Sequence, residues 1–282
     1  MMNLTQRIPM LLISVALLFV LACAPALPVA QWVPTAEPIA AQPVQGALDQ
    51  AALDGILDQW LAPGNGLCDA PGAVLLVDSP AGRYLKAGGI ASLDDGRPLQ
   101  TGDRLEIGSN TKAFTVVLAL QLQEEGVLSL DDPLHRWLPE LAARIPYGNQ
   151  VTLRQLASNT SGIWDYADPL LQPVIDANDQ AAIAQAYTPQ ELVEYAIANG
   201  APDFAPGRGW HYSSTNFILL GMVVEAAAGQ ALAELYQERI FDRLGMADSI
   251  YLEGSPEAGA VVDGYYTIPT GELVNMTHWN AT

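Results

Sequence analysis

The chain has 282 residues, half of them hydrophobic, enough for one large domain or two modest ones with a sizeable core. Its 31 Asp and Glu against 12 Lys and Arg give a formal net charge of −19, which argues against nucleic acid as a partner, since phosphate binding wants a basic face. Of the two cysteines, Cys23 and Cys68, no disulfide framework and no zinc spacing can be built, and Cys68 reads as a small buried hydrophobe.

A short polar start containing Arg7 leads into an apolar run from Ile8 to Ala22. The run is short for a bilayer, which takes about 20 residues, and suits the core of a signal peptide over residues 1–22. It ends Val20-Leu21-Ala22-Cys23, which resembles a bacterial lipobox. Cys23 is therefore the expected lipidation site, and the expected location is extracytoplasmic, on a membrane, as a lipoprotein. Ordinary signal cleavage near Ala24 or Ala26 would instead give a secreted protein. Residues 23–46 are rich in Pro and Ala without a period, as expected of an extended tether.

The folded domain is expected over residues 47–282. Leu48, Ala51, Ala52, Ile56 and Trp60 recur at helical spacing. Ala73–Asp78, between Pro71-Gly72 and Ser79-Pro80, predicts a buried strand, with Arg83–Ile90 as its hairpin partner. A helix is predicted from about Thr111 to Glu125, stopped by Gly126. Its apolar residues cover nearly the whole circumference, which predicts a buried helix. Further helices are predicted over Thr152–Ala157, Pro189–Ala198, Thr215–Ala228 and Ala231–Leu244. Asn159–Ala186, with Gly162, Pro169 and Pro173, reads as irregular. Ala260–Tyr266 and Glu272–Met276 flank Pro269-Thr270-Gly271 and predict a last hairpin. The order is that of an α+β fold: an antiparallel sheet with flanking helices plus an all-helical region.

Ser109-Asn110-Thr111-Lys112 carries the chemistry. It sets a hydroxyl and an amine three residues apart at the start of a helix, where Cβ atoms lie roughly 5–6 Å apart. An amine so placed could take the serine proton and make the oxygen attack a carbonyl. The same residues could be an ordinary helix cap. Three features weigh against the cap. A capping box wants Glu or Gln where Lys112 stands, a cation at a helix N-terminus opposes the macrodipole, and Lys86 is the one other lysine of the chain. His135, His211 and His278 are isolated, without metal-ligand spacing, and no phosphate loop or G-x-S-x-G elbow is present. Neither a metal nor a cofactor is expected.

Several segments in order resemble the serine β-lactamase-related family, which holds class C β-lactamases, D-Ala-D-Ala carboxypeptidases and related esterases. They are Leu105–Thr115 around the nucleophile, Leu130–Leu134 with Trp137–Glu140, Thr152–Leu156 with Thr160–Ile163, Tyr212–Asn216, and Phe241–Met246. The resemblance covers about Leu48 to Met276. It implies a β-lactamase/transpeptidase-like fold and an acyl-enzyme reaction on D-Ala peptides, β-lactams, or simple esters and amides. By position it implies Ser109 as nucleophile, Lys112 as general base and Tyr212 as second proton carrier. Ser214 stands where the family usually has Asn in a substrate-binding role, and Asn159 stands where it usually has His. Ser213 and Ser214 could also merely cap the following helix. Trp164 and Tyr166 are candidate cleft walls, Trp210 is another, and His211 adjoins Tyr212. The family's third box, Lys or His followed by Thr or Ser and Gly, is absent from the 282 residues. The expectation is a C-terminally truncated domain whose last sheet strands are missing and whose activity is impaired. A non-catalytic lipoprotein that binds cell-wall peptides or a partner is the alternative.

Overall fold

The computed structural model describes residues 47–62, 64, 70–252, 261–268, 271–277 and 279. The chain divides into two units, Met1–Gln45 and Gly46–Thr282, and the described residues all belong to the second. The expectations for the signal segment, Cys23, the tether, Cys68 and His278 fall outside the described residues.

Helix α1 spans Gln50–Leu61, and Asp49 caps it by accepting the Ala52 N–H at 3.0 Å. The antiparallel hairpin follows as β1 (Gly72–Ser79) and β2 (Gly82–Gly89). Leu57 is the buried residue of α1, whereas Ile56 and Trp60 of the expected stripe are exposed. What docks α1 on the hairpin is Leu57 with Leu61 beside Gly88, and Asp54, which accepts from Tyr84 Oη and Lys86 Nζ at 2.6 Å each. The strand expected to be buried is only half-buried. Leu76 and Leu85 pair across the hairpin and are exposed, because among the described residues its strands pair only with each other.

Helix α2 (Thr111–Glu124) is expected to be buried all round and is not. Thr115, Leu118, Ala119 and Leu122 are buried, while Val117 and Leu120 are 42% and 41% exposed. One face of α2 meets the hydrophobic helix α8 (Ser214–Ala228). Leu219, Leu220, Val223 and Val224 of α8 are fully buried in the main core, each side chain worth about 1.5–3 kcal/mol. Gly229, with φ +66°, ends α8 in the left-handed conformation that favours glycine.

Short helices surround this pair. They are α3 (Pro139–Arg144), α4 (Leu153–Ala157), α5 (Ala167–Asp176), α6 (Gln180–Ile183), α7 (Pro189–Asn199), α9 (Leu232–Tyr236) and α10 (Asp242–Leu244). Capping boxes start α4 at Thr152 with Gln155 and α7 at Thr188 with Glu191. A π-helical turn, Gln237–Phe241, joins α9 to α10, so the helix expected over Ala231–Leu244 is present with a widened middle turn.

The stretch expected to be irregular contains α5 and α6. Pro169 lies in the first turn of α5, where its missing N–H would have no helical partner. Pro173 leaves the Pro169 carbonyl without its i+4 donor, and Tyr195 Oη donates to that carbonyl instead, at 3.4 Å. Ile175 and Ile183 then bury against the hairpin of β3 (Tyr265–Thr267) and β4 (Leu273–Asn275). Of the turn expected there, Pro269 and Thr270 lie outside the described residues, and Gly271 has φ +86°.

Asp132 organises the turn after α2. It accepts from the Ser129 N–H at 3.0 Å, Arg136 at 2.6 Å and Trp137 Nε1 at 3.1 Å. Burial pushes its carboxyl upward, and the Ser129 N–H, Trp137 and Arg136 together outweigh that and hold it below the ordinary value of 3.8. A pKa lowered on folding contributes stability that is present above the unfolded value and lost as pH falls through the folded one. Asp132→Asn is expected to cost about 1–3 kcal/mol at pH 7 in urea unfolding. The gap to the wild type should close as the pH is taken below 3.8.

Candidate active site

Ser109 lies in a single 3-10 turn, Gly108–Asn110, immediately before α2. Gly108 has φ +51°, a left-handed kink that sets the turn off from the chain before it. Neither the turn nor α2 receives a side-chain capping bond, and Asn110 Nδ2 donates back to the Ile107 carbonyl at 2.9 Å. The Ser109 hydroxyl is thus not spent on a cap. Lys112 Nζ donates to Ser109 Oγ at 3.0 Å, and Tyr212 Oη donates to the same oxygen at 2.6 Å. The Lys112 amine also sits 5.1 Å from the Tyr212 ring centre and 5.6 Å from that of Phe217. Two aromatic faces and one hydroxyl therefore hold it at the serine.

Tyr212 reaches Ser109 because the loop that carries it is tied down on both sides. Gly207 N–H donates to the Thr160 carbonyl at 2.8 Å and Asp203 N–H to the Gly162 carbonyl at 3.0 Å. Gly162, at φ +76°, allows this approach, since a Cβ there would come within 2.0 Å of the Phe204 carbonyl oxygen. The Asn159 carbonyl takes the His211 N–H, and Asn159 Oδ1 takes the Ser213 N–H at 3.2 Å and Asn216 Nδ2 at 3.0 Å. Ser161 Oγ donates to Asn216 Oδ1 at 2.6 Å.

Ser213 and Ser214 are not side-chain caps of α8. Ser213 is fully buried, makes no capping bond, and its hydroxyl has no hydrogen-bond partner among the described residues. Asp165 takes the capping role from a distant loop by accepting the Ser214 N–H at 2.8 Å and the Ala167 N–H at 3.3 Å. A carboxylate there also meets the positive end of α8. Burial pushes the Asp165 carboxyl above its ordinary value, the Ala167 and Ser214 N–H groups pull it down, Asp168 adds to the rise and Lys112 opposes it.

The expected cleft walls are placed differently. Tyr166 is 1% exposed and packs with Leu192 and Ala196 of α7, a core residue and not a wall. Burial, with the nearby Asp165, Tyr251 and Tyr212, pushes its hydroxyl far up. Trp164 packs over Gly200, stacks with Tyr195 at 6.4 Å, and offers its carbonyl to Thr215 Oγ1. Both aromatic rings turn into α7, and the acid between them serves α8. Asp165 was not singled out from the sequence; a lone acid inside Ile163-Trp164-Asp165-Tyr166 is the signal that could have found it. Trp210 is 65% exposed, and His211 Nδ1 pairs with Asp203 at 2.6 Å on the surface beside Tyr212. Among the described residues no group of three His, Cys, Asp or Glu side chains is set to hold a metal ion.

A family model described as Beta-lactamase matches residues 57–282. The chain belongs to the Beta-lactamase family. Its helical region and small antiparallel sheets are the β-lactamase/transpeptidase-like fold. Among its relatives, Esterase EstB of Burkholderia gladioli is 34% identical over 218 residues, 75% of this chain and 54% of the relative. Penicillin-binding protein 4* of Bacillus subtilis (strain 168) is 33% identical over 180 residues, 63% of this chain and 37% of the relative. The crystal structure of a D-stereospecific amidohydrolase from Streptomyces sp. superposes with a TM-score of 0.70 at 32% identity, covering 83% of this chain and 66% of that one. The chain thus spans about half or less of the length of these two curated relatives.

In this β-lactamase-family chain the raised Asp165 pKa predicts a stability effect of definite sign. A carboxyl raised on folding costs stability as the pH rises from its unfolded value through the folded one. Asn keeps the Oδ1 acceptor for Ser214 and Ala167 without the charge. Asp165→Asn is expected to melt higher than the wild type at pH 7, with the gain vanishing below pH 3.8. A lower melting temperature at pH 7 would contradict this account.

Proposed function

We propose that this protein is a serine hydrolase that works through an acyl-enzyme on Ser109. The observation that carries the reading is the convergence of Lys112 Nζ and Tyr212 Oη on one serine oxygen. Ser109 Oγ attacks a carbonyl carbon while its proton passes to Lys112 Nζ. The tetrahedral oxyanion collapses, the bond to the leaving alcohol or amine breaks, and that group takes a proton by way of Tyr212 Oη. Water then attacks the acyl ester, gives its proton back through the same pair, and the acid leaves with Ser109 restored.

Relatives and a structural neighbour described as an esterase, a penicillin-binding protein and a D-stereospecific amidohydrolase support esters, penicillin-type β-lactams and amides as the substrate class, with D-Ala peptides a further carbonyl for the same serine. Ser214, where the family usually carries Asn, offers a hydroxyl of shorter reach and fewer donors to a substrate amide. The 282 residues hold no Lys/His-Thr/Ser-Gly box. The second reading is a binding protein for cell-wall peptides.

The two readings part on covalency. The protein is expected to take a fluorescent penicillin or a fluorophosphonate on Ser109 and to hydrolyse a 4-nitrophenyl ester. Ser109→Ala should abolish both, and Tyr212→Phe should slow acylation by about 10²-fold. Reversible binding of a stem peptide without label on the wild type would overturn the enzyme in favour of the binder.

We also propose an extracytoplasmic location with a lipid on Cys23, supported by the apolar run and the Leu21-Ala22-Cys23 junction. Cys23→Ala is expected to move the protein from the membrane pellet to the soluble fraction, and to remove metabolic labelling with a palmitate analogue.

A further inference from the structure

We infer that Asn159 is a positioning residue for Tyr212, clamping the backbone on both sides of it. The Asn159 carbonyl accepts the His211 N–H at 3.1 Å, and its Oδ1 accepts the Ser213 N–H at 3.2 Å. One residue therefore holds the positions immediately before and after the tyrosine whose hydroxyl lies 2.6 Å from Ser109 Oγ. The amide is oriented by chemistry, since a backbone N–H can only donate and so must face Oδ1. Asn216 Nδ2 donates to the same oxygen at 3.0 Å, tying the clamp to the first turn of α8.

The backbone of Asn159 is as specific as its side chain. Its φ of +57° lies in the left-handed region, which asparagine tolerates better than most residues. That turn lets carbonyl and side chain of one residue face the same segment. Asn159 is 8% exposed, so water does not readily replace it as an acceptor. Without its side chain, the Ser213 N–H and Asn216 Nδ2 lose a shared partner in a buried place. Among the described residues no comparable bond from α2 brackets Tyr212, so its reach to Ser109 depends on this loop.

The proposal rests on the acyl-transfer reading, and its test includes a measurement that does not. Asn159→Gly removes the acceptor yet keeps the left-handed backbone free of strain. Asn159→Asp keeps the Oδ1 acceptor. Ser161→Ala removes the donor to Asn216 Oδ1 and the acceptor of the Ile163 N–H, without touching the two bonds that flank Tyr212. In 4-nitrophenyl ester hydrolysis, Asn159→Gly is expected to lower kcat by about 10–100-fold with KM changed less than about threefold. Asn159→Asp should return kcat to within about fivefold of the wild type, and Ser161→Ala should stay within about threefold. An unchanged kcat in Asn159→Gly overturns the clamp. So does a folded Asn159→Asp that fails to rescue, or a Ser161→Ala that loses as much. If the wild type hydrolyses no ester and takes no label, the acyl-transfer reading falls and amide exchange decides the clamp. Faster exchange at Ser213 in Asn159→Gly, by about tenfold or more, with α2 amides unchanged, supports it, and unchanged exchange at Ser213 overturns it.

Discussion

The hydrogen bond from Tyr212 to Ser109 Oγ joins the starts of two helices that lie 103 residues apart in the chain. Everything near it serves to keep those two helix ends in register. Helices α2 and α8 pack against each other, and Leu118, Ala119, Leu122, Leu219, Leu220 and Val223 share one core. Close-packed cores resist sliding, so the axes of the two helices are set by shape. Shape alone does not place a hydroxyl to within a few tenths of an ångström. The last step is taken by polar groups with fixed directions, those of loop 159–167.

That loop satisfies the first turn of α8 almost group by group. Asn159 serves Ser213 and Asn216, Asp165 serves Ser214, and Trp164 and Tyr166 serve Thr215 Oγ1. A buried polar group left unpaired costs about 1–3 kcal/mol, so a displaced loop would be penalised several times over. The Ser213 hydroxyl is the exception, buried without a hydrogen-bond partner among the described residues and directly beside Tyr212. The half-buried carboxyl of Asp165 is a second local cost, offset by two N–H groups, the α8 macrodipole and Lys112. Cost therefore concentrates around the serine, as expected where geometry is kept for chemistry.

Away from the site, apolar surface is left open. Leu76 and Leu85 on the hairpin and Val117 and Leu120 on α2 are all exposed among the described residues. A two-stranded ribbon is marginal on its own, and here α1 supports it through Leu57, Tyr84 and the Asp54 bonds. Hydropathy periodicity counts apolar residues and cannot tell which of them find a neighbour. This is why α2 reads from its sequence as buried all round, and why the stripe on α1 is misplaced toward Ile56 and Trp60.

Local chemistry determined the helix bounds, because capping and turn residues act within a few positions. Thr152 with Gln155, Thr188 with Pro189 and Glu191, and Gly229 mark helix ends in one dimension as plainly as in three. The Ser109–Lys112 spacing was legible for the same reason: three residues of helix make neighbours without help from the rest of the fold. With Tyr212 it belongs to a set of segments whose order carried the family. Other features depended on contacts between distant residues. Helix α5 survives Pro173 because Tyr195 of α7 supplies a donor. Trp164 and Tyr166 face α7 and not the cleft, and Asp165 caps a helix 49 residues away. Whether Ser109 capped its own helix or stood free was open in the sequence, since both need the same residues. Only the tertiary structure decided it, by bringing Tyr212 to the serine oxygen and giving that hydroxyl partners outside the helix end.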